Sequence, residues 1–203
     1  MTFHSTPSSA AAQSAAFQHD QFIARAKVFD IAPKFHFYDL QGNKIAFLKQ
    51  KLFKLKEDIR LYTDDSATRE LLLIKARSIF DFGATYDVTD ATSQQRVGAL
   101  RRKALKSMLR DEWEILDVSE SVVGHIREDR MVLALLRRFG LNFIPQEYEF
   151  EVGGALAGTA KQGWNPFVLR MHIDLTADPQ RRLDRRLAAA AIVLLLAVEG
   201  RQD

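Results

Sequence analysis

Basic side chains are concentrated in two segments that could bind an anion. The first runs from Arg96 to Arg110 without an acidic residue, and the second, from Lys44 to Lys56, repeats its pattern earlier in the chain. Alternate residues of a strand share a face, so Arg101 and Lys103 are expected on one face, with the second segment equivalently placed to form a paired basic strip. Guanidinium and ammonium groups hold phosphate through charge-assisted hydrogen bonds, which makes anion binding the predicted chemistry.

Three interpretations of this strip stay open. Its cations keep the surface soluble and unaggregated, or they bind phospholipid headgroups at about 1 kcal/mol per cation, or they bind nucleic acid or an acidic protein. Nucleic acid is disfavoured, because between Lys49 and Lys56 and between Arg96 and Arg110 only Phe53 could stack on a base. The candidate headgroup-binding residues are Lys49, Lys51, Arg101, Arg102, Lys103 and Lys106.

Signatures of catalysis are missing from the sequence. The histidines form no His-Glu-x-x-His motif, the serines lack a Gly-x-Ser-x-Gly turn, and Gly153–Gly158 is not followed by the Gly-Lys-Ser/Thr of a phosphate loop. The aspartates of four predicted turns are expected to cap backbone amides rather than to form a catalytic pair. They are Asp39, Asp64, Asp90 and Asp117. We therefore expect a protein that is not an enzyme, with no metal site and no cofactor.

The composition is that of a soluble protein with one large domain. The 203 residues are 47% hydrophobic, which is enough for a substantial core. The absence of cysteine excludes disulfides, thiolate metal ligands and palmitoylation, and it fits a reducing cytoplasm. The net charge of +3 is compatible with phosphate-rich surfaces, but it is lower than that of a dedicated nucleic-acid-binding arm.

The N-terminal residues differ from the rest of the chain. Segment 5–16 consists of small and polar residues and has no apolar core of a secretory signal. We expect a disordered tail over residues 1–20 and a single domain over residues 21–203. No transmembrane segment is expected, and we expect a monomer.

Short alternating runs separated by turn residues occupy the middle of the chain. Phe35–Tyr38 and Lys44–Leu48 flank Asp39–Asn43, which predicts a β-hairpin. The same arrangement recurs up to Leu175 and gives about twelve strands. A barrel of that size is wide enough to admit a helix about 10 Å across.

The C-terminal stretch Leu187–Val198 has no polar atom in any side chain. A helix that is apolar all round is buried on every side, and this one is too short for a bilayer, which needs about 20 residues. Because Asp178 suits the N-cap and Pro179 the first helical position, we predict a central helix over about 179–199. A membrane-anchored tail is the alternative. The predicted core positions are Leu187, Ile192, Val193, Leu194, Leu195 and Leu196.

Four arginines crowd the N-terminal half of this predicted helix, which is the unfavourable end of its dipole for cations. They are Arg181, Arg182, Arg185 and Arg186. Two explanations stay open. The arginines pair with carboxylates of nearby loops at the barrel mouth, or they bind an external anion.

The segment Lys49–Asp64, its repeat at Arg101–Asp117 and the closing apolar helix resemble the LURP-one-related proteins, over about Lys34 to Arg201. The resemblance implies the superfamily of the tubby C-terminal domain and the phospholipid scramblases, whose fold is a twelve-stranded barrel around a central C-terminal helix. Tubby domains bind phosphoinositide headgroups through basic residues on the barrel surface. This chain lacks the cysteine-rich segments and the Asp-x-Asp-x-Asp-Gly calcium loop, so lipid scrambling is not expected.

These observations predict a mainly β, closed, tubby-like antiparallel barrel around a buried hydrophobic C-terminal helix. We expect a cytoplasmic, non-enzymatic binding module that contacts anionic membrane phospholipids peripherally through the basic strip. The alternative is a cytoplasmic structural or regulatory protein that binds a protein partner and has no lipid role. Since the helix fills the interior, any ligand is expected on the outer surface.

Overall fold

The computed structural model describes residues 16–27, 34–49, 58–77, 84–103, 112–128, 146–163, 165 and 168–199. Within these residues, twelve strands form one closed antiparallel barrel, in which each strand pairs with the next in sequence and the first pairs with the last. The strands are β1 (Gln21–Lys27), β2 (Lys34–Tyr38), β3 (Lys44–Lys49), β4 (Ile59–Tyr62), β5 (Glu70–Ala76), β6 (Thr85–Asp90), β7 (Arg96–Lys103), β8 (Glu112–Leu116), β9 (Val122–Glu128), β10 (Glu147–Val152), β11 (Ala155–Gln162) and β12 (Val168–Asp174). The predicted fold class is confirmed.

Alternation of apolar and polar residues explains why these segments form strands. In β2, for example, Phe35 and Phe37 are buried, whereas the residues between and beside them are exposed or half-buried. Successive side chains of a strand point to opposite faces, so each strand contributes an inner apolar row and an outer polar row. The inner rows form one core cluster, in which Trp113 and Tyr148 are the largest fully buried side chains.

An apolar helix, α1 (Arg185–Glu199), is surrounded by this barrel. Every residue from Leu187 to Ala197 is buried, as expected for a helix with no polar face. The predicted core positions are 0% to 4% exposed. The burial of the C-terminal helix inside the barrel confirms that part of the predicted fold.

The helix begins at Arg185, six residues later than the predicted start at 179. Asp178 does not cap it. Its carboxylate instead accepts hydrogen bonds from the backbone N–H groups of Arg182 (3.1 Å) and Leu183 (2.9 Å), which organises a separate turn. Asp184 is the helix cap, since its carboxylate accepts a hydrogen bond from the N–H of Arg186 (2.9 Å).

Aspartates organise the hairpin turns at the end of the barrel where α1 begins. Arg186 of the helix donates to Asp90 in one of these turns (2.9 Å). The carboxylates of Asp39, Asp64, Asp90 and Asp117 each accept a hydrogen bond from a backbone N–H of their own turn. The predicted turn-capping role of these four residues is confirmed.

The segment before β1 lies against the same end of the barrel. Ala16 and Phe17 pack against the core, and Arg181 donates to the backbone carbonyl of Phe17 (3.1 Å). The N–H of Leu175 donates to the carbonyl of Asp20 (2.7 Å). Residues 16–20 of the predicted tail therefore contact the barrel.

Candidate anion-binding surface

The predicted basic strip on β7 is occupied by internal ion pairs. Arg101 lies opposite Glu114 of β8 in the strand register, and their side chains are 2.5 Å apart. Lys103 lies opposite Glu112 and contacts the carboxylates of both Glu112 (3.2 Å) and Glu114 (3.1 Å). Arg102 lies opposite the buried Trp113, so strand alternation places it on the other face from its two neighbours.

This pairing continues across the outer surface. Arg127 of β9 contacts Glu112 (3.4 Å) and pairs with Glu151 of β10. Together with the pairs on β7, these contacts form an alternating row of three cations and three carboxylates, which we call the β7–β10 ladder. It consists of Arg101, Glu114, Lys103, Glu112, Arg127 and Glu151.

The pKa values within the ladder reflect this mutual neutralisation. Burial alone raises the pKa of Glu114, but the hydrogen bonds from Arg101 and Lys103 outweigh it and leave the pKa lowered. The hydrogen bond to Glu114 in turn raises the pKa of Lys103. Both partners are therefore ionised at neutral pH, and Arg101 and Lys103 are already engaged by carboxylates.

Among the other predicted headgroup-binding residues, Lys49 lies away from the β7–β10 ladder. Lys49 ends β3, and the strands β4, β5 and β6 lie between β3 and β7, so Lys49 and Arg101 do not share one strip. In the register Lys49 lies opposite Lys34 of β2. Lys51 and Lys106 lie outside the described residues.

The four arginines around the start of α1 pair with carboxylates, as one of the two sequence-based explanations states. Arg182 contacts Asp178 (3.2 Å) and Arg181 contacts Asp20 (3.2 Å). Arg186 contacts both Asp90 (2.9 Å) and Asp184 (2.6 Å). Arg185, which is only 6% exposed, contacts both Asp178 (3.1 Å) and Asp20 (2.8 Å).

A different pair of arginines, on β1 and β12, was not found from the sequence. Arg25 and Arg170 lie directly opposite each other where these two strands close the barrel. His172 lies two residues from Arg170, and burial followed by the charges of Arg170 and Arg25 lowers its pKa. Among the described residues, no carboxylate pairs with either arginine; Arg25 instead stacks over the ring of Tyr38, at 5.1 Å from its centroid.

The sequence pattern places both arginines on the outer face of the barrel, but it does not show that they are neighbours. Both arginines occupy outward positions in alternating runs, since their neighbours Ala24 and Met171 are buried. However, they are far apart in sequence, and a search for clusters along the chain finds only cations that are close in sequence. Their proximity follows from the register of the closing strands, which no local pattern reveals.

A metal site and a membrane-spanning helix are two other kinds of functional feature to consider within the described residues. No group of three or more histidine, aspartate or glutamate side chains there could hold a metal ion. No helix in that part of the chain is long and apolar enough to cross a membrane.

These features define a class of protein: a twelve-stranded β-barrel filled by its own C-terminal helix. Residues 45–196 match the family model of the LURP-one-related proteins, and the chain belongs to that family. No curated protein and no solved structure matches it. The matched range includes β12 but begins after β1.

Proposed function

We propose that this protein is a non-enzymatic binding module that contacts anionic membrane phospholipids through the outer surface of its barrel. The filled interior supports this proposal, because a ligand cannot occupy the space taken by α1. The resemblance to the LURP-one-related proteins also supports it, because it implies a superfamily shared with tubby domains, which bind phosphoinositide headgroups. The proposal implies a cytoplasmic monomer that meets the membrane peripherally.

The observation that carries the proposal is the uneven charge of the barrel wall. Five adjacent strands, β11, β12, β1, β2 and β3, form what we call the basic face. They carry seven cations and one acidic residue, Asp174. The cations are Lys161, Arg170, Arg25, Lys27, Lys34, Lys44 and Lys49.

The other seven strands have the opposite balance. Strands β4 to β10 carry seven cations and nine acidic residues, and the β7–β10 ladder shows how these charges neutralise one another. An anionic bilayer attracts a protein surface with unneutralised cations, at about 1 kcal/mol per cation near the membrane. Lys44 of the basic face pairs with Asp65 and Lys161 pairs with Glu147, but the face still carries an excess of cations, and it is the side that we expect to meet the membrane. It includes Lys49 from the predicted strip, whereas Arg101 and Lys103 lie outside it.

Sedimentation with vesicles tests the proposal. Wild-type protein is expected to sediment with vesicles that contain phosphatidylserine or a phosphoinositide, but not with neutral phosphatidylcholine vesicles, and added salt should weaken the binding. Lys34→Glu on the basic face should reduce sedimentation. The matched control is Lys75→Glu on β5, another exposed strand lysine with the same change of charge, and it should have little effect.

Equal loss of binding in the two variants would contradict a role for the basic face. Failure of the wild type to bind any anionic vesicle would contradict the lipid proposal itself. Specific retention of a protein partner in the absence of vesicle binding would then favour the alternative, a structural or regulatory protein without a lipid role.

A further inference from the structure

We infer that Arg25 and Arg170 form a binding site for one phosphate group on the basic face. Phosphate is the chemical class that two adjacent guanidinium groups select, because each presents a planar fork of N–H donors that matches phosphate oxygens. The phosphate could belong to a lipid headgroup, in which case the inference rests on the function proposed above, or to a soluble phosphomonoester.

The strand register brings the two side chains together. Arg25 of β1 and Arg170 of β12 are direct cross-strand partners, and the Cβ atoms of such partners are about 4.5–5.5 Å apart. Like charges in this arrangement destabilise a sheet. An anion bound between the two arginines attracts both of them and offsets their mutual repulsion. The site therefore favours a bound anion.

Another pair of neighbouring arginines in this protein has carboxylates between its two members. Arg77 and Arg96 share the carboxylates of Asp87 and Glu120: Asp87 lies 2.7 Å from Arg77 and 2.9 Å from Arg96, and Glu120 bonds to both. Hydrogen bonding, first from Arg77, lowers the pKa of Glu120 to about 2, so these carboxylates remain charged. Where two arginines meet here, two internal anions lie between them.

The corresponding anion is missing beside Arg25 and Arg170 in the part of the chain that the structure describes. The Nε atom of Arg25 is buried and has no hydrogen-bond partner there, in contrast to Arg101 and Arg185, whose Nε atoms each donate to a carboxylate. Stacking on Tyr38 occupies a face of the Arg25 guanidinium, and stacking leaves N–H groups in the guanidinium plane available to an anion.

Neither His172 nor Lys161, which neighbour Arg170 in the sheet, adds unneutralised positive charge, and the pKa of His172 is lowered below its ordinary value. His172 lies two residues along β12 from Arg170, and alternation places it on the same outer face. In the register its cross-strand partners are Ile23 on β1 and Lys161 on β11. Lys161 itself pairs with Glu147 (2.6 Å), so the unneutralised charge of this region is centred on Arg25 and Arg170.

Two binding experiments on the full chain test the site. Calorimetric titration with glycerol 3-phosphate uses a soluble phosphomonoester, and sedimentation on phosphatidic acid vesicles uses a membrane-bound one. Arg25→Gln and Arg170→Gln should each weaken binding of the ligand that the site uses by about 10- to 100-fold, the range expected for hydrogen bonds to a charged group. Lys75→Gln removes the same charge elsewhere and should leave affinity unchanged. Because Arg170→Gln relieves repulsion, its melting temperature without ligand should equal or exceed that of the wild type.

Each pattern of results has a distinct meaning. Loss of glycerol 3-phosphate binding in both arginine variants supports the site, whether or not vesicle binding is also lost, and the vesicle arm then identifies the source of the phosphate. Loss of vesicle binding alone in these variants supports the site with a lipid source. Wild-type affinity for both ligands in the variants overturns the site but leaves the membrane proposal standing. The site is also overturned if the wild-type protein binds neither of the two ligands.

Discussion

Replacement of Asp178 by alanine is expected to destabilise the barrel far more than the loss of a turn aspartate elsewhere. Asp178 is fully buried and its carboxylate accepts four hydrogen bonds, two from backbone N–H groups and one each from the side chains of Arg182 and Arg185. Removing one partner of a buried ion pair typically costs about 3–5 kcal/mol. That is a large part of a total stability of about 5–15 kcal/mol.

Asp117→Ala is the matched control for this variant. Asp117 accepts hydrogen bonds from two backbone N–H groups of its own turn, those of Ser119 (2.8 Å) and Ser121 (2.9 Å), but it faces no buried arginine. Its removal should cost about 1 kcal/mol. The difference between the two variants therefore measures what Asp178 contributes through its burial and through its side-chain contacts with Arg182 and Arg185.

Chemical denaturation followed by circular dichroism measures both losses, and Asp178→Asn separates charge from hydrogen bonding. Burial alone raises the pKa of Asp178, but the hydrogen bonds from Leu183, Arg182 and Arg185 leave it below the ordinary value. The carboxylate thus stabilises the fold above about pH 4, and this contribution is lost as the pH falls further through the folded-state pKa. The asparagine variant should lack this acid-dependent loss. Equal destabilisation by Asp178→Ala and Asp117→Ala would refute the reasoning.

Three further predictions concern the core, a close strand contact and the inferred phosphate site. Leu194→Asp should unfold the domain in circular dichroism, because it adds a buried charge to the loss of about 2–5 kcal/mol for removing a buried leucine, whereas the exposed Leu156→Asp should not. Gly98→Ala should lower the melting temperature, since its Cβ would lie 2.3 Å from the carbonyl oxygen of Leu116. The pKa of His172, followed by NMR, should lie below its ordinary value and rise when phosphate binds.

Each of these has an outcome that would contradict it. A folded Leu194→Asp variant that only lost membrane association would favour the membrane-anchor interpretation of the helix. An unchanged melting temperature for Gly98→Ala would mean that β7 and β8 can separate without cost. A pKa of His172 that did not respond to phosphate, in protein shown to bind it, would place the ligand away from this histidine.

Most of the barrel could be predicted because hairpins are local structures. The predicted run Lys44–Leu48 differs from β3 by a single residue, since alternation and turn residues act over a few positions. Burial of the helix followed from its lack of any polar face. The start of the helix was placed too early because Asp178 and Asp184 both suit a cap, and only the structure shows that Asp178 is used by the preceding turn.

The neutralisation of the basic strip by carboxylates could not be predicted from local sequence patterns. Arg101 and its partner Glu114 lie on different strands, and their contact depends on the register of β7 against β8. The sequence shows the cations on β7 as a run without acidic residues. The fold places β8, with its two glutamates, beside that run and neutralises its outward cations.

The closing pair of strands is where sequence-based prediction was weakest and where the inferred site lies. In the described part of the chain, eleven of the twelve strand pairings join neighbours in sequence, and only β1 with β12 joins distant segments. The fold itself does not require two unneutralised arginines there, because the outward positions beside them, Ile23 on β1 and His172 on β12, could hold carboxylates as Glu114 does on β8. Within the described residues, the lack of a neutralising partner is thus a property of this sequence rather than of the barrel, and an external phosphate group supplies the missing charge.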